Sequence, residues 1–279
     1  MLTAVLALMA SVSWGTSDFL AGLRSRRLPL LTVLLVSQAA GLVSISALVA
    51  ARGEGPPVGA PLLYAALAGV AGTVGITALY RGLAVGAMSI VAPISAASGV
   101  VPVAVGLATG ERPTLPQGLG IALAIVGVVL ASRAVGDRRS EGSVAAGVGL
   151  ACLAALAFGL LLVALDAASR GDALWGTLIL RGTALGLFAS AALVVWPSLS
   201  LERRDMMTLL AVGVLDTGAN ALFATAATRG LLSLVSVLAQ LYPVVTVLLA
   251  RFVIGERVAP IQQVGLVAAF AGVGLITAG

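Results

Sequence analysis

The sequence has no histidine, no lysine, a single cysteine and little charge of either sign: 10% of its 279 residues are charged. Each shortage excludes something. With Cys152 alone and no histidine, no internal disulfide can form and no Cys/His metal cluster can be assembled. General acid–base and metal chemistry lose their commonest side chain. No Gly-x-Ser-Gly or Gly-x-Gly-Asp signature is present, nor an aspartate-rich diphosphate motif. An enzyme is therefore not expected, and no cofactor or metal is expected either. The thin charge also excludes a water-soluble fold, since soluble domains run at about 25% charged residues.

What fills the chain instead is apolar: 60% hydrophobic residues and a mean hydropathy of +1.13. Too few polar groups exist to cover a solvated surface, so the natural solvent is lipid. All 16 basic residues are arginine, against 11 acidic ones, for a formal charge of +5. In a soluble protein that balance would suggest nucleic acid. Here the arginines stand singly or in threes between apolar runs, which is loop charge at a membrane surface. The expected partners are membrane lipid and a small-molecule substrate, with no nucleic acid.

A helix needs about 20 apolar residues to cross the hydrocarbon core. Ten such runs can be read, at 2–22, 30–50, 61–80, 87–108, 116–132, 144–165, 173–195, 206–228, 231–252 and 260–278. Charges and turn residues fill the short breaks, so no extramembrane domain is expected. The first run lacks a basic start, and Trp14, Gly15 and Asp18 interrupt it, so it reads as a retained span rather than a signal peptide. The fourth and fifth runs are weakest, broken or flanked by Pro93, Pro102, Pro113 and Pro116.

The chain also repeats itself. Ala78-Leu79-Tyr80 matches Ala221-Leu222-Phe223, and Gly110-Glu111-Arg112 matches Gly255-Glu256-Arg257. Gly120 and Gly127 match Gly265 and Gly272, and Trp14-Gly15 matches Phe158-Gly159. The expected domains are 1–136 and 142–279, each of five spans. Five is odd, so the second half enters the membrane upside down. The fold class expected is an all-α integral membrane protein of ten transmembrane helices in two inverted five-helix repeats. Exchanging conformations between such halves closes one face and opens the other. Two fused repeats remove the need for a dimer.

Arginine placement gives an orientation. Loops after odd-numbered spans hold Arg24, Arg26, Arg27, Arg81, Arg133, Arg138, Arg139, Arg203, Arg204 and Arg257. Loops after even-numbered spans hold only Arg52, Arg112, Arg170 and Arg229. The bias puts the odd loops in the cytoplasm and both termini outside.

Trp14-Gly15-Thr16, the stretch from Tyr242-Pro243 to Gly255-Glu256-Arg257, and the ending Gln263-Val264-Gly265…Gly272-Val273 resemble the EamA family of the drug/metabolite transporter superfamily. The resemblance covers nearly the whole chain and is better in the second half. There Pro243 precedes Glu256, whereas the first half has Ser98 at the equivalent place and Pro102 one turn later. It implies a ten-helix carrier in the bacterial inner membrane, often an exporter of amino acids or other small metabolites, with a central cavity lined by both halves. Such relatives are usually described with both termini in the cytoplasm, opposite to the arginine count.

Ionisable groups at mid-membrane are costly and usually face a cavity or a partner. Arg181 in the seventh run and Asp216 in the eighth are the two deep charges, at depths differing by roughly 6 Å at 1.5 Å per residue, so they are expected to pair. The pair is either a structural tie or part of a substrate site. Its charges cancel, which suits a zwitterion: Arg181 for a carboxylate, Asp216 for an ammonium. Asn220 lies one turn beyond Asp216, and Thr73 and Thr77 occupy the matching places in the first half. Gln240 and Tyr242 match Ser95 and Ala97, and Gln38 falls within a residue of the position matching Arg181. The candidate cavity residues are thus Arg181, Asp216, Asn220, Gln240, Tyr242, Trp14, Gln38, Thr77, Tyr80 and Ser95. Singly, such groups more often serve helix contacts. Trp14 either lines the cavity or packs.

Asp18 is expected to partner Arg24, Arg26 or Arg27, the sharper alternative being proton coupling, which Asp216 could share. Glu111 and Glu256 are expected to cap helices or pair with Arg112 and Arg257. Gly69, Gly72 and Gly75, and the Gly182/Gly186 pair, read as helix-packing positions. The resulting expectation is an alternating-access exporter of amino acids or similar zwitterions. The alternatives are a proton-coupled efflux pump for cationic drugs and, further off, a passive channel.

Overall fold

A computed structural model of the chain describes residues 1–25, 27–85, 88–132, 144–195, 197, 201–255 and 258–278. Arg26, Arg133, Arg138, Arg139, Glu256 and Arg257 lie outside the described residues. The described residues are helical throughout: α1 (Leu2–Ser25), α2 (Leu30–Arg52), α3 (Ala60–Val85), α4 (Met88–Ala96), a 3-10 turn (Ala97–Gly99), α5 (Val100–Ala108), α6 (Leu115–Ala131), α7 (Val144–Ser169), α8 (Ala173–Val195), α9 (Arg203–Ala227), α10 (Leu232–Ala239), α11 (Tyr242–Val253) and α12 (Pro260–Ala278). In lipid a helix satisfies every backbone N–H and C=O within itself, which is why each apolar run becomes one. Eight stretches are long and apolar enough to cross a membrane, and two shorter apolar helices, Ile94–Ala108 and Leu115–Ala131, fall in the fourth and fifth runs.

Prolines place the breaks. Pro102 follows Ser98 by four residues, so it cannot donate to that carbonyl, and the chain turns at Ala97–Gly99. The run 231–252, expected to be continuous, is also divided. Its α10 ends at Ala239 and α11 begins at Tyr242, with Pro243 in the first turn. Pro243 removes the bond to the Ala239 carbonyl in the same way.

The repeat is visible in local structure. Gly110 and Gly255 both adopt positive φ, 98° and 71°, where a side chain would be strained. Thr114 and Gln117 form a capping box at the start of α6. At the matching place before α12, Gln262 accepts from the Ala259 N–H at 2.9 Å, the half of that box an alanine still allows.

Packing exchanges between halves. α1 packs on α9, α10 and α11, as α7 packs on α3, α4 and α5, while α2 crosses α8 and α6 lies against α12. Gly120 faces Gly272 and Ile276, whereas Gly127 faces Gly265 and Ala269, so α6 and α12 run antiparallel. A Cβ on Gly120 would stand 2.8 Å from the Gly272 carbonyl, and one on Gly272 would stand 2.7 Å from the Ala124 nitrogen. The repeat-matched glycines therefore interlock at a distance only hydrogen permits. Gly69, Gly72 and Gly75 likewise admit Thr183, Leu161 and Phe158. Gly182 and Gly186, by contrast, face open space. The close approach of α8 to α3 is made instead where Gly69 receives the Leu180 carbonyl.

Two ends of the bundle follow from the loop contacts. At one, Thr3 donates to the Arg229 carbonyl (3.2 Å), Arg52 pairs with Glu54 and with Asp172 (2.8 Å), and Trp175 donates to the Glu54 carbonyl (3.1 Å). At the other, Arg24 donates to Asp205 (2.7 Å) and Thr208 (2.9 Å), tying α1 to α9. These are called below the Arg52 end and the Arg24 end.

Candidate functional site: a polar-floored cavity between the halves

A cavity of about 320 Å³ lies among α1, α2, α3, α7, α8, α9 and the α10–α11 break. Its lining covers 14–21 of α1, 33–38 of α2, 69–80 of α3 and 180–188 of α8. The stretches of α1 and α2 lie toward the Arg24 end, whereas those of α3 and α8 straddle the middle of their helices. No described residue before Trp14 on α1 or after Gln38 on α2 lines it.

The floor is built where the two halves meet. Arg181, 3% exposed, donates through Nη1 to Gln38 Oε1 at 2.6 Å, and its Nη2 stands 2.6 Å from Asp216 Oδ2. Its Nε is buried without a hydrogen-bond partner. Asp216 is 31% exposed, toward the cavity it lines. The expected pair is thus present, and Gln38 joins it. Gln38 and Arg181 hold corresponding places in the two halves, 143 residues apart. Two positions matched by the repeat thus touch across the halves. Gln240 likewise donates to Ser98 across the halves, although the repeat matches Ser98 with Pro243. Asn220 donates from Nδ2 to the Asp216 carbonyl at 3.1 Å and keeps its place on the wall.

Aromatic rings make the sides. Trp14 lies 6.1 Å from Phe223 and 6.5 Å from Tyr242, ring centre to ring centre, so it both packs and lines the cavity. Tyr80 and Tyr242 also line it, as do Phe158 and Phe188, which sequence reasoning did not single out. The signal for Phe158 was present, since it is the repeat match of Trp14.

Two expectations fail on geometry. Thr77 is exposed outside the cavity, donating to the Thr73 carbonyl at 2.7 Å. At about 100° per residue, Tyr80 and Ile76 stay on the face of Gly69 and Gly72, while Thr77 turns some 80° from Gly69. Ser95 is buried on α4 and does not line the cavity. The turn at Ala97–Gly99 brings Ser98, rather than Ser95, to Gln240.

Of the arginines expected to partner Asp18, Arg26 lies outside the described residues. Arg24 is taken by Asp205 and Thr208, and Asp18 makes no ion pair among the described residues. Six residues is 1.7 turns, so Asp18 and Arg24 leave α1 on different sides. Asp18 instead stands exposed on the cavity wall, within electrostatic reach of Asp216, Tyr80 and Tyr242. The ionisable acids and bases of the cavity are then Asp18, Asp216 and Arg181, a formal sum of −1 rather than zero. Glu111 does cap a helix, but one in the other half: Oε1 accepts from the Leu232 N–H at 2.5 Å and Oε2 from the Ser233 N–H at 3.0 Å.

No group of three or more metal-ligating side chains occurs among the described residues. The arrangement presents a guanidinium, two carboxylates and amide side chains beside aromatic walls, groups that can bind a small polar molecule.

The model of the EamA-like transporter family matches residues 1–133 and 145–278. Among curated proteins none matches the chain. One solved structure, described only as the crystal structure of a protein, superposes with a TM-score of 0.81 over 99% of this chain and 96% of its own length. At 17% identity that likeness is one of fold.

Proposed function

Because the chain belongs to the EamA-like transporter family, and is therefore a membrane transporter of the drug/metabolite type, we propose that it exports small zwitterionic metabolites, amino acids among them, by alternating access. One observation carries the substrate reading: Arg181, buried and with an unpartnered Nε, lines the same cavity as Asp18, a carboxylate with no ion pair among the described residues. A substrate carboxylate takes the guanidinium and its ammonium takes Asp18, while Asp216 and Gln38 hold the arginine in place. The aromatic walls take the apolar remainder.

Alternating access by two inverted repeats is supported by the exchange-symmetric packing and by the antiparallel run of α6 and α12. From the middle of the bundle the cavity extends along α1 and α2 toward the Arg24 end, which the arginine bias assigns to the cytoplasm. Reporter fusions at both termini test that assignment: activity of a cytoplasmic reporter at either terminus overturns it.

A second reading is favoured by the cavity's formal charge of −1, which also suits a cation exchanged for protons at Asp18. Counterflow in proteoliposomes separates the two. Radiolabelled neutral amino acids and cationic dyes are offered to vesicles preloaded with the unlabelled compound. The zwitterion reading expects amino-acid counterflow that depends on Arg181. Counterflow of dyes alone, dependent on Asp18 and indifferent to Arg181, overturns it in favour of the cation reading. A passive pore would give no counterflow.

A further inference from the structure

Beyond the cavity, toward the Arg52 end, the interior is closed by α10. Seven of its residues are buried, from Leu232 to Ala239 with only Leu234 excepted. Three polar side chains nevertheless lie along one stripe of this segment. Ser233, Ser236 and Gln240 follow at i, i+3 and i+7, within about 60° of one another around the axis.

Gln240, the inner member, borders the cavity. Ser233 and Ser236 are 0% exposed, and neither hydroxyl has a hydrogen-bond partner. Ser11 on α1, which packs against α10, is in the same condition at 2% exposure. Many hydroxyls in these helices return a bond to their own backbone, as Thr16, Thr73, Ser132 and Thr225 do, while Ser95 and Thr217 share the unpartnered condition singly on α4 and α9. A buried donor left unmade costs roughly 1–3 kcal/mol. Small apolar residues would fill the same places at no such penalty.

At the outer end of the stripe stands Glu111, reaching across from the other half with both oxygens on the first N–H groups of α10. A side chain at Gly106 would collide with that carboxylate. The contact joins an anion to the positive end of a helix and fixes α10 in its closed position.

We infer that the Ser233–Ser236–Gln240 stripe is the closed half of the substrate pathway, and that the Glu111 carboxylate on the α10 N-terminus is the latch that keeps it closed. The inference rests on the alternating-access reading. When the Arg52 end opens, α10 parts from α1, water reaches Ser11, Ser233 and Ser236, and the unmade hydrogen bonds are made. A polar solute then leaves along a hydroxyl-lined surface.

The test uses cysteine accessibility in the full-length protein, with Cys152→Ala removing the one native thiol, which is exposed. Ser236→Cys and, about 100° around α10 from it and off the stripe, Val235→Cys are each treated with a water-soluble cationic methanethiosulfonate reagent. The rates are compared with Glu111 intact and with Glu111→Gln. The expected result is that Ser236→Cys reacts, at least tenfold faster with Glu111→Gln, and that its modification blocks counterflow. Val235→Cys stays inert throughout. Ser236→Cys as inert as Val235→Cys in both backgrounds overturns the inference, as does equal acceleration of both, which would mean general loosening. If Ser236→Cys or Glu111→Gln does not fold, Ser233→Cys and Glu111→Asp serve, with the same expectations. Counterflow by Cys152→Ala is measured first. If it persists while the stripe never reacts, the pathway is wrong and the carrier stands. If no compound counterflows, the carrier reading itself has failed.

Discussion

Arg181→Ala tests the centre of the site. In the folded protein Arg181 makes a 2.6 Å bond to Gln38 and a 2.6 Å ion pair with Asp216. If its guanidinium also receives the substrate carboxylate, the variant loses one charged hydrogen bond, a net of about 1.5–3 kcal/mol, or roughly 10- to 150-fold in apparent affinity. The loss of stability is a separate quantity. Breaking a fully buried pair costs about 3–5 kcal/mol. Asp216 is 31% exposed, so the figure here is smaller. The assay is amino-acid counterflow per folded protein, beside the thermal midpoint in detergent. Arg181→Met with Asp216→Leu separates the effects, since an apolar pair restores packing and the thermal midpoint but supplies no anion site. Arg181→Lys is expected to be poor as well, because one ammonium cannot serve Gln38, Asp216 and a carboxylate in the fork geometry of arginine. Counterflow with unchanged apparent affinity in Arg181→Ala, accompanied only by a lower thermal midpoint, would refute the substrate role and leave a structural tie.

Asp18→Asn is expected to lower apparent affinity for amino acids by roughly 10-fold or more, through loss of a charge-assisted bond to the ammonium, with the thermal midpoint unchanged or raised, because Asp18 makes no ion pair among the described residues. A fall in thermal midpoint without a transport defect would count against that placement. Gly127→Val puts a branched side chain against the Ala269 backbone, where not even a Cβ fits, and is expected to abolish folded protein on size-exclusion chromatography. Gly182→Ala faces open space on α8 and is expected to be neutral or stabilising by up to about 1 kcal/mol from helix propensity. Equal damage from both would mean that the α6–α12 seam is not the close contact described.

Much of the molecule was legible before any coordinates. Apolar runs become helices because lipid leaves the backbone no other way to satisfy itself, so the runs located the helices and the prolines of the fourth run located its break. The Arg181–Asp216 pair followed from depth alone, because two charges in a low dielectric at similar depth have few alternatives. Six residues separate Asp18 from Arg24 along the chain but leave the two on different sides of α1, so Asp205 rather than Asp18 takes Arg24. Thr77 was misplaced because a four-residue step drifts about 40° per repeat. The division at Gln240–Leu241 was visible as Pro243, but hydropathy runs straight through it.

Sequence alone determined the medium, the helical class, the repeat and the identity of the deep charges, because composition and periodicity are local properties of the chain. Tertiary structure alone decided which of those groups share a space. Gln38 meets Arg181, Ser98 meets Gln240 and Glu111 meets α10 across more than a hundred residues of chain. Each of these contacts joins the two halves, and the way one half packs on the other is a property of the packed pair that neither half contains.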